Sequence, residues 1–365
     1  MPAENRENLF NQNQTDTEIV KCSGCGSNMV FNPDTQTLYC NHCGNKLNFD
    51  TNSMATEQDL NEGLRAAPKF SMEEAAVFEC DNCGAKVVLE GGQSSADCPF
   101  CGTSHVRKTD ELAGIKPNAV IPFAFNEQKA LLLTKTWAKK RFYAPRAFKK
   151  NLKTENLKGV YTPCFTFDSS TCSFYHGRIG KTHTRVVGSG KNRRTQTYVV
   201  WRNISGVFNH RFDDVLITAG TKFDQTSLNS ISPFDTNGSK EFEENYLLGY
   251  LSYHYDKELV DCWEQAKTVM DQNLKQLILN GYSYDKVAYL NLSTTHADLT
   301  YKYVMLPVYV GNFNYKKKLY NFYVNGSTGR VNGKTPKSVL KILATVLIAA
   351  AFVVGAILAI NLLGG

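Results

Sequence analysis

The sequence predicts an α+β protein in three parts, and three observations predict it. Paired cysteines recur at fixed spacing in the first third. The middle is rich in aromatic and β-branched residues around one long helical pattern, and a 19-residue run without a charge lies near the C-terminus.

Eight of the 11 cysteines stand as Cys22-x-x-Cys25, Cys40-x-x-Cys43, Cys80-x-x-Cys83 and Cys98-x-x-Cys101, the second quartet repeating the first 58 residues further on. Fourteen residues separate the pairs within each quartet, and a glycine follows every second cysteine (Gly26, Gly44, Gly84, Gly102). This spacing suits two tight turns whose thiolates meet at one tetrahedral ion, with glycine supplying the positive φ such a turn needs. Two zinc ribbons, each holding one structural Zn2+, are therefore expected. Reduced, unligated thiols are the alternative, and they leave the shared form of four turns unexplained. Four protein ligands per site leave no position for water or substrate, so catalytic zinc is disfavoured. His42 and His105 are bystanders on this reading. Cys164, Cys172 and Cys262 read as small buried apolar groups.

The apolar run spans Ile342 to Ile360, with Thr345 its only polar side chain. As a helix it would reach roughly 28 Å, close to the thickness of a bilayer's hydrocarbon core. A buried core helix is the alternative, but it would have to be enclosed on every side. Arg330, Lys334, Lys337 and Lys341 precede the run and no charge follows it. The positive-inside bias then predicts a single-pass, tail-anchored protein of the cell membrane with its bulk in the cytoplasm. A reducing cytosol also favours metal ligation over disulfides. The polar residues 1–17 argue against a signal peptide and read as a disordered tail.

Net charge is +7, which two four-thiolate sites would bring to about +3. The positive charge is regional. Residues 135–202 carry 16 Lys or Arg against two acids, and residues 302–341 carry eight and none, leaving −15 for the remainder.

Along the chain, residues 18–50 form the first ribbon, with a turn at Pro33-Asp34. Residues 51–75 read as a polar linker, partly helical from Glu57 to Ala67, and residues 77–108 as the second ribbon with a turn at Gly91-Gly92. An α+β domain occupies 115–330. It starts with an extended stretch at Val120–Phe125, a helix capped by Asn126, and a second helix opened by Pro145. Strands follow from Val160, with two long ones (171–187 and 193–208) joined at Gly188-Ser189-Gly190-Lys191-Asn192. Residues 224–240 read as loop. Asp256 is expected to cap a helix carrying Leu259, Trp263, Ala266, Met270 and Leu274 and closing at Asn280-Gly281. Strands at 287–294, 301–309 and 319–324 complete the domain, and the transmembrane helix covers 339–363.

Ala119-Val-Ile-Pro-Phe123, Phe142-Tyr-Ala-Pro145, Lys158-Gly-Val-Tyr-Thr-Pro163, Phe212-Asp-Asp-Val-Leu216, Leu306-Pro-Val-Tyr309 and Tyr323-Val-Asn-Gly-Ser-Thr-Gly329, together with the cysteine knuckles, resemble a family of bacterial membrane proteins with N-terminal transcription-factor-IIB-type zinc ribbons. The resemblance implies a membrane anchor and metal ribbons, and no established activity. Two full ribbons depart from the one expected in many relatives.

Ribbons suggest nucleic-acid binding, but each one here is −1 formally and −3 with its metal, a poor surface for phosphates. They suit contact with a protein partner better. The basic block is the stronger candidate for anions. Lys139, Lys140, Arg141, Arg146, Lys149, Lys150 and Lys153 are interleaved with Trp137, Phe142, Tyr143 and Phe148, and Lys191, Arg193 and Arg194 crowd the hairpin tip. A solvated face, anionic lipid beside the anchor, and nucleic acid remain open readings of that block.

Gly180-Lys-Thr and Gly333-Lys-Thr lack the upstream glycine of a phosphate loop. His176, His183, His210, His254 and His296 stand in no catalytic context, and Asp213-Asp214 reads as a strand-end turn. The expectation is a non-enzymatic, membrane-tethered scaffold or adaptor. The alternative is a membrane-associated nucleic-acid-binding protein.

Overall fold

The fold was obtained as a computed structural model describing residues 20–66, 70–71, 76–80, 83, 85–89, 98–101, 106–109, 113–150, 152, 157–190, 193–316 and 318–363. The expected tail at 1–17, the Gly91-Gly92 turn, His105, Lys153 and Lys191 lie outside these residues.

The N-terminal third holds β1 (Val30–Asn32), β2 (Thr37–Tyr39), β3 (Lys46–Leu47), β4 (Gln58–Asp59), α1 (Leu60–Arg65), β5 (Phe70–Ser71), β6 (Ala76–Cys80), β7 (Lys86–Leu89) and β8 (Val106–Thr109). After β9 (Ala113–Gly114) and β10 (Ala119–Val120) come α2 (Glu127–Lys140) and α3 (Arg146–Lys150). The remainder comprises β11 (Leu157–Val187), β12 (Arg194–Thr218), α4 (Gln225–Ile231), β13 (Lys240–Glu241), β14 (Leu251–Tyr253), α5 (Leu259–Asn280), β15 (Lys286–Tyr315), β16 (Lys318–Asn325), β17 (Val331–Gly333) and α6 (Val339–Leu363).

The organising feature is a blade of three very long antiparallel strands. β11 lies between β12 and β15 and pairs with each along most of its length. At roughly 3.3 Å per residue, its 31 residues extend on the order of 100 Å. α5 lies against one face, with the buried Ile278 and Leu279 packed on Ile179, Ile204 and Leu290, and the Trp263 ring 5.5 Å from that of Phe167. The helical spacing of its apolar residues is what the sequence displayed, and Leu259, Trp263, Ala266, Met270 and Leu274 are all buried.

Several local expectations are corrected. The stretches 287–294 and 301–309 are one continuous strand, β15, because the polar Thr294–Thr300 segment bulges instead of turning. Asp168 pairs with Thr300 and Ser170 with Ala297, and Asp298 takes φ 51°. At the same level β12 bulges at Asp213-Asp214, with Phe167 opposite Val215, Ser169 opposite Phe212, and Asp214 at φ 51°. Asp213-Asp214 is therefore a bulge inside a strand rather than a strand end. Residues 225–231 are helical where a loop was expected. Asp224 caps α4 by accepting from the Ser227 N–H at 2.7 Å, and Leu228 and Ile231 are buried. Asp256 does not cap α5, which starts after Glu258. It instead accepts from the Thr221 N–H at 3.0 Å and hydroxyl at 2.7 Å.

The stretch expected to be a spacer is docked. β4 pairs with β15 through Asp59 opposite Thr300 and Gln58 opposite Tyr301, and α1 presses on the same strand. Gly63 is obligatory there, since a Cβ would lie 2.6 Å from the Tyr301 ring.

Candidate metal centres, a buried charge knot and a basic collar

In the first quartet the Cys22–Cys43 sulfur atoms are 3.4 Å apart and the Cys25–Cys40 pair 3.5 Å. In the second, Cys80–Cys101 are at 3.5 Å and Cys83–Cys98 at 3.6 Å. All four sulfurs of each quartet lie within 4.8 Å of one another. A disulfide would need about 2.0 Å, whereas ligands about 2.3 Å from a tetrahedral centre stand about 3.8 Å apart. Each quartet can thus hold one metal ion, and the donor set is consistent with zinc.

The knuckles are built by backbone hydrogen bonds. Cys22 N–H donates to Ser27 O, Gly26 N–H to Cys22 O, Cys40 N–H to Asn45 O and Gly44 N–H to Cys40 O, all at 2.8–2.9 Å. Gly26 and Gly44 take φ 72° and 77°, as the sequence predicted. In the second module Cys80 N–H donates to Ala85 O at 3.0 Å.

The thiols differ in their readiness to ionise. The Ser27 hydroxyl and N–H hold Cys25 down at about 5. The Asn45 N–H favours the Cys43 thiolate, yet its three neighbouring cysteines and burial outweigh this and hold it at about 12. Burial pushes Cys83 up to about 11. Four thiolates crowded together need a cation among them.

The two modules are attached differently. The first is its own sheet, β1-β2-β3, seated on the body by side chains: the Phe31 ring lies 5.4 Å from Tyr246, and Phe49 lies 5.0 Å from Tyr246. Phe31 N–H donates to Leu248 O, and Gln36 reaches Phe123 O at 2.8 Å. In the second module, β6 pairs with β7 and β8, and β7 pairs with β14, which lies on β11. Phe100 also packs 5.0 Å from Tyr253.

One cluster escaped sequence reading. At the double bulge the buried Asp168 accepts from the Asp214 N–H at 2.6 Å and from the Thr300 hydroxyl at 2.8 Å, stitching both neighbouring strands. Lys302, 4% exposed, places its ammonium 2.8 Å from Asp214 Oδ1 and 2.5 Å from Glu57 Oε1. Burial works against that ammonium, but Asp214 and Glu57 outweigh it and raise its pKa. Burial raises the Glu57 carboxyl, against the pull of Lys302. The three carboxylates Glu57, Asp168 and Asp214 have the proximity of a cation site, and the ammonium fills that role. They are dispersed over 157 positions of sequence, so no local motif announced them.

The expected anion-contact residues do not share one surface. Lys139, Lys140, Arg141, Arg146, Lys149 and Lys150 gather on the last turn of α2, its C-cap Arg141 and α3. The 141–144 connection is bound to the start of α6: the Lys341 ammonium donates to Phe142 O and Ala144 O at 2.8 Å, and Ser338 N–H donates to Tyr143 O at 2.8 Å. Arg193 and Arg194 are at the far tip of the β11–β12 hairpin, exposed. Of the other cysteines, Cys164 and Cys262 are fully buried, as expected, and Cys172 is half-buried.

Among the described residues, α6 is the helix long and apolar enough to cross a membrane. Its window Val339–Ala356 has mean hydropathy 2.4 and no buried residue.

The fold and its centres define a class: a mixed α+β protein with two four-cysteine modules and one apolar C-terminal helix. The chain is similar to the uncharacterized protein YdjG of Bacillus subtilis (strain 168), 28% identical over 239 residues, 64% of this chain and 68% of that protein. No family model and no solved structure matches it.

Proposed function

We propose that the protein is a non-enzymatic scaffold or adaptor, anchored by α6 in the cell membrane with its α+β body on the cytoplasmic face, whose two zinc ribbons present a protein-binding surface. The observation that carries this reading is the seating of both ribbons on the body. Each module is held against the body, and in the first the knuckle residues 23–26 and 41–45 are exposed, with Leu47 48% exposed. Fixed presentation suits recognition, because little ordering entropy is lost on binding. Sites closed by four cysteines suit structure over catalysis, and reduced cysteines at this spacing favour zinc. The basic residues before α6 favour the cytoplasmic orientation.

Affinity purification from detergent-solubilised membranes, comparing wild type with Leu47→Glu and with Cys22→Ser/Cys25→Ser, tests this. Loss of specific partners from both variants is expected, with about two zinc ions per wild-type chain by elemental analysis. An unchanged partner set sinks the ribbon-docking reading, and zinc-free protein sinks the metal assignment.

A second reading rests on the hairpin arm. From Ser169 to Phe212 there are eight Lys or Arg and no acid, and guanidinium groups lie over exposed aromatics: Arg178 is 5.8 Å from Trp201 and Arg185 is 5.6 Å from Tyr198. Such a mixture favours single-stranded nucleic acid. Salt-dependent binding of an oligonucleotide, lost in Arg193→Glu/Arg194→Glu, would support it; no binding at low salt removes it.

A further inference from the structure

We infer that the collar formed by the end of α2, the 141–145 connection and α3 is a binding site for anionic phospholipid headgroups, fixed at the mouth of the membrane helix. The inference rests on α6 being a membrane anchor and adds the ligand chemistry of the surface around it.

Between Gln128 and Thr154 the chain carries nine Lys or Arg and no acid. The fold brings six of these, Lys139, Lys140, Arg141, Arg146, Lys149 and Lys150, onto the end of α2, its C-cap and α3, and five of the six are exposed. Crowding like charges costs energy unless a counter-charge is near. Within the collar, Lys149 donates to Lys139 O at 3.0 Å and Arg141 lies 4.8 Å from the Trp137 ring. These contacts position the cations without neutralising them.

Position decides the occupant. Lys341 and Ser338, in the first turn of α6 and just before it, bind the carbonyls of Phe142, Tyr143 and Ala144. The collar and the helix foot are therefore one unit, and the apolar window begins at Val339. Wherever the helix enters a bilayer, these cations stand at headgroup depth. Phe142 and Tyr143, 65% and 41% exposed, flank them as aromatic residues do at a membrane interface. An amphipathic collar rigidly continuous with the anchor fits a lipid surface, where polybasic segments gain from anionic headgroups. The basic tip at Arg193 and Arg194 lies at the other end of a strand on the order of 100 Å long, away from the contacts that tie the collar to the foot of α6.

The test reconstitutes the full chain into phosphatidylcholine vesicles carrying a trace of either spin-labelled phosphatidylglycerol or spin-labelled phosphatidylcholine. The motionally restricted fraction reports which lipid the protein holds. Wild type should hold phosphatidylglycerol about fivefold over phosphatidylcholine at low salt, declining toward parity as salt screens the cations. Lys140→Glu/Arg146→Glu/Lys150→Glu should abolish the preference, while Arg193→Glu/Arg194→Glu should leave it intact. The neutral set Lys140→Gln/Arg146→Gln/Lys150→Gln should give an intermediate preference and serves if the reversed set misfolds. Equal association of both lipids with wild type, or equal loss in the tip variant, overturns the inference. A chain that fails to insert into pure phosphatidylcholine vesicles overturns instead the anchor on which it rests.

Discussion

The two four-cysteine modules share one spacing and differ in how the body holds them. The first keeps a sheet of its own and leans on Tyr246 and Leu248 through side chains and single hydrogen bonds. The second gives up independence: its β7 continues the main sheet through Ser252 opposite Val88 and Tyr253 opposite Val87. Equal ligand geometry therefore does not mean equal structural consequence. What a module does for the fold depends on whether its strands join the main sheet or meet the body only through side chains and single hydrogen bonds.

Disabling one four-cysteine site at a time separates the two attachments most strongly. A structural zinc site contributes on the order of 10 kcal/mol to the fold around it. Cys80→Ser/Cys98→Ser should release β6–β8 and, through β7, unprotect Leu251–Tyr253 at the centre of the body. Cys22→Ser/Cys40→Ser should release β1–β3 and the 246–250 loop while Leu251–Tyr253 stays protected. Hydrogen exchange read by mass spectrometry distinguishes these patterns, and identical patterns in the two variants would show that both modules are attached alike.

A smaller effect is expected at the charge knot, which pins the segment following the first module. Lys302→Met leaves Asp214 buried without its counter-charge and Glu57 without its partner. Breaking a buried pair by removing one side costs about 3–5 kcal/mol, to be read as a lower midpoint in denaturant. The pH dependence has a defined sign. Because the folded pKa of Lys302 is raised, the ammonium's contribution is fully present below its ordinary value of 10.5 and is lost as pH rises through the folded one. Wild type and Lys302→Met should therefore converge in stability at strongly alkaline pH. A constant gap would mean that the lysine acts through packing alone.

The comparison also separates what sequence could display from what it could not. The cysteine spacing, the glycines after the first module's knuckles, the α5 periodicity and the apolar run are local patterns, and each appears in the fold where it was read. Two of the failures share one cause. Asp213-Asp214 and Thr294–Thr300 look like turns because turn residues and bulge residues are the same polar residues. Only the partner strand decides between them, and here Asp168 holds both bulges in the ladder. The seating of the first module was equally hidden. Phe31 and Phe49 fall within the stretch 18–50 read as the first ribbon, and nothing nearby reveals that Tyr246, about two hundred positions on, completes their cluster. The basic block shows the same limit: its two helices and its hairpin tip could be placed in sequence, but the distance between them is set by the long β11–β12 hairpin.

Access to the sulfur atoms gives the finest distinction. Cys25 and Cys43 are exposed, whereas Cys83 and Cys101 are half-buried and their module carries the buried Phe100 against Tyr253. A chelator must approach the ion, so exposed ligands are displaced first and the buried module must open locally before it yields. Titrating the holoprotein with a chromogenic chelator should give two phases of equal amplitude, the faster from the first module and several-fold ahead of the slower. Cys22→Ser/Cys25→Ser should delete the fast phase alone. A single phase would show that the body protects both centres equally and that the difference in backbone attachment does not extend to metal exchange.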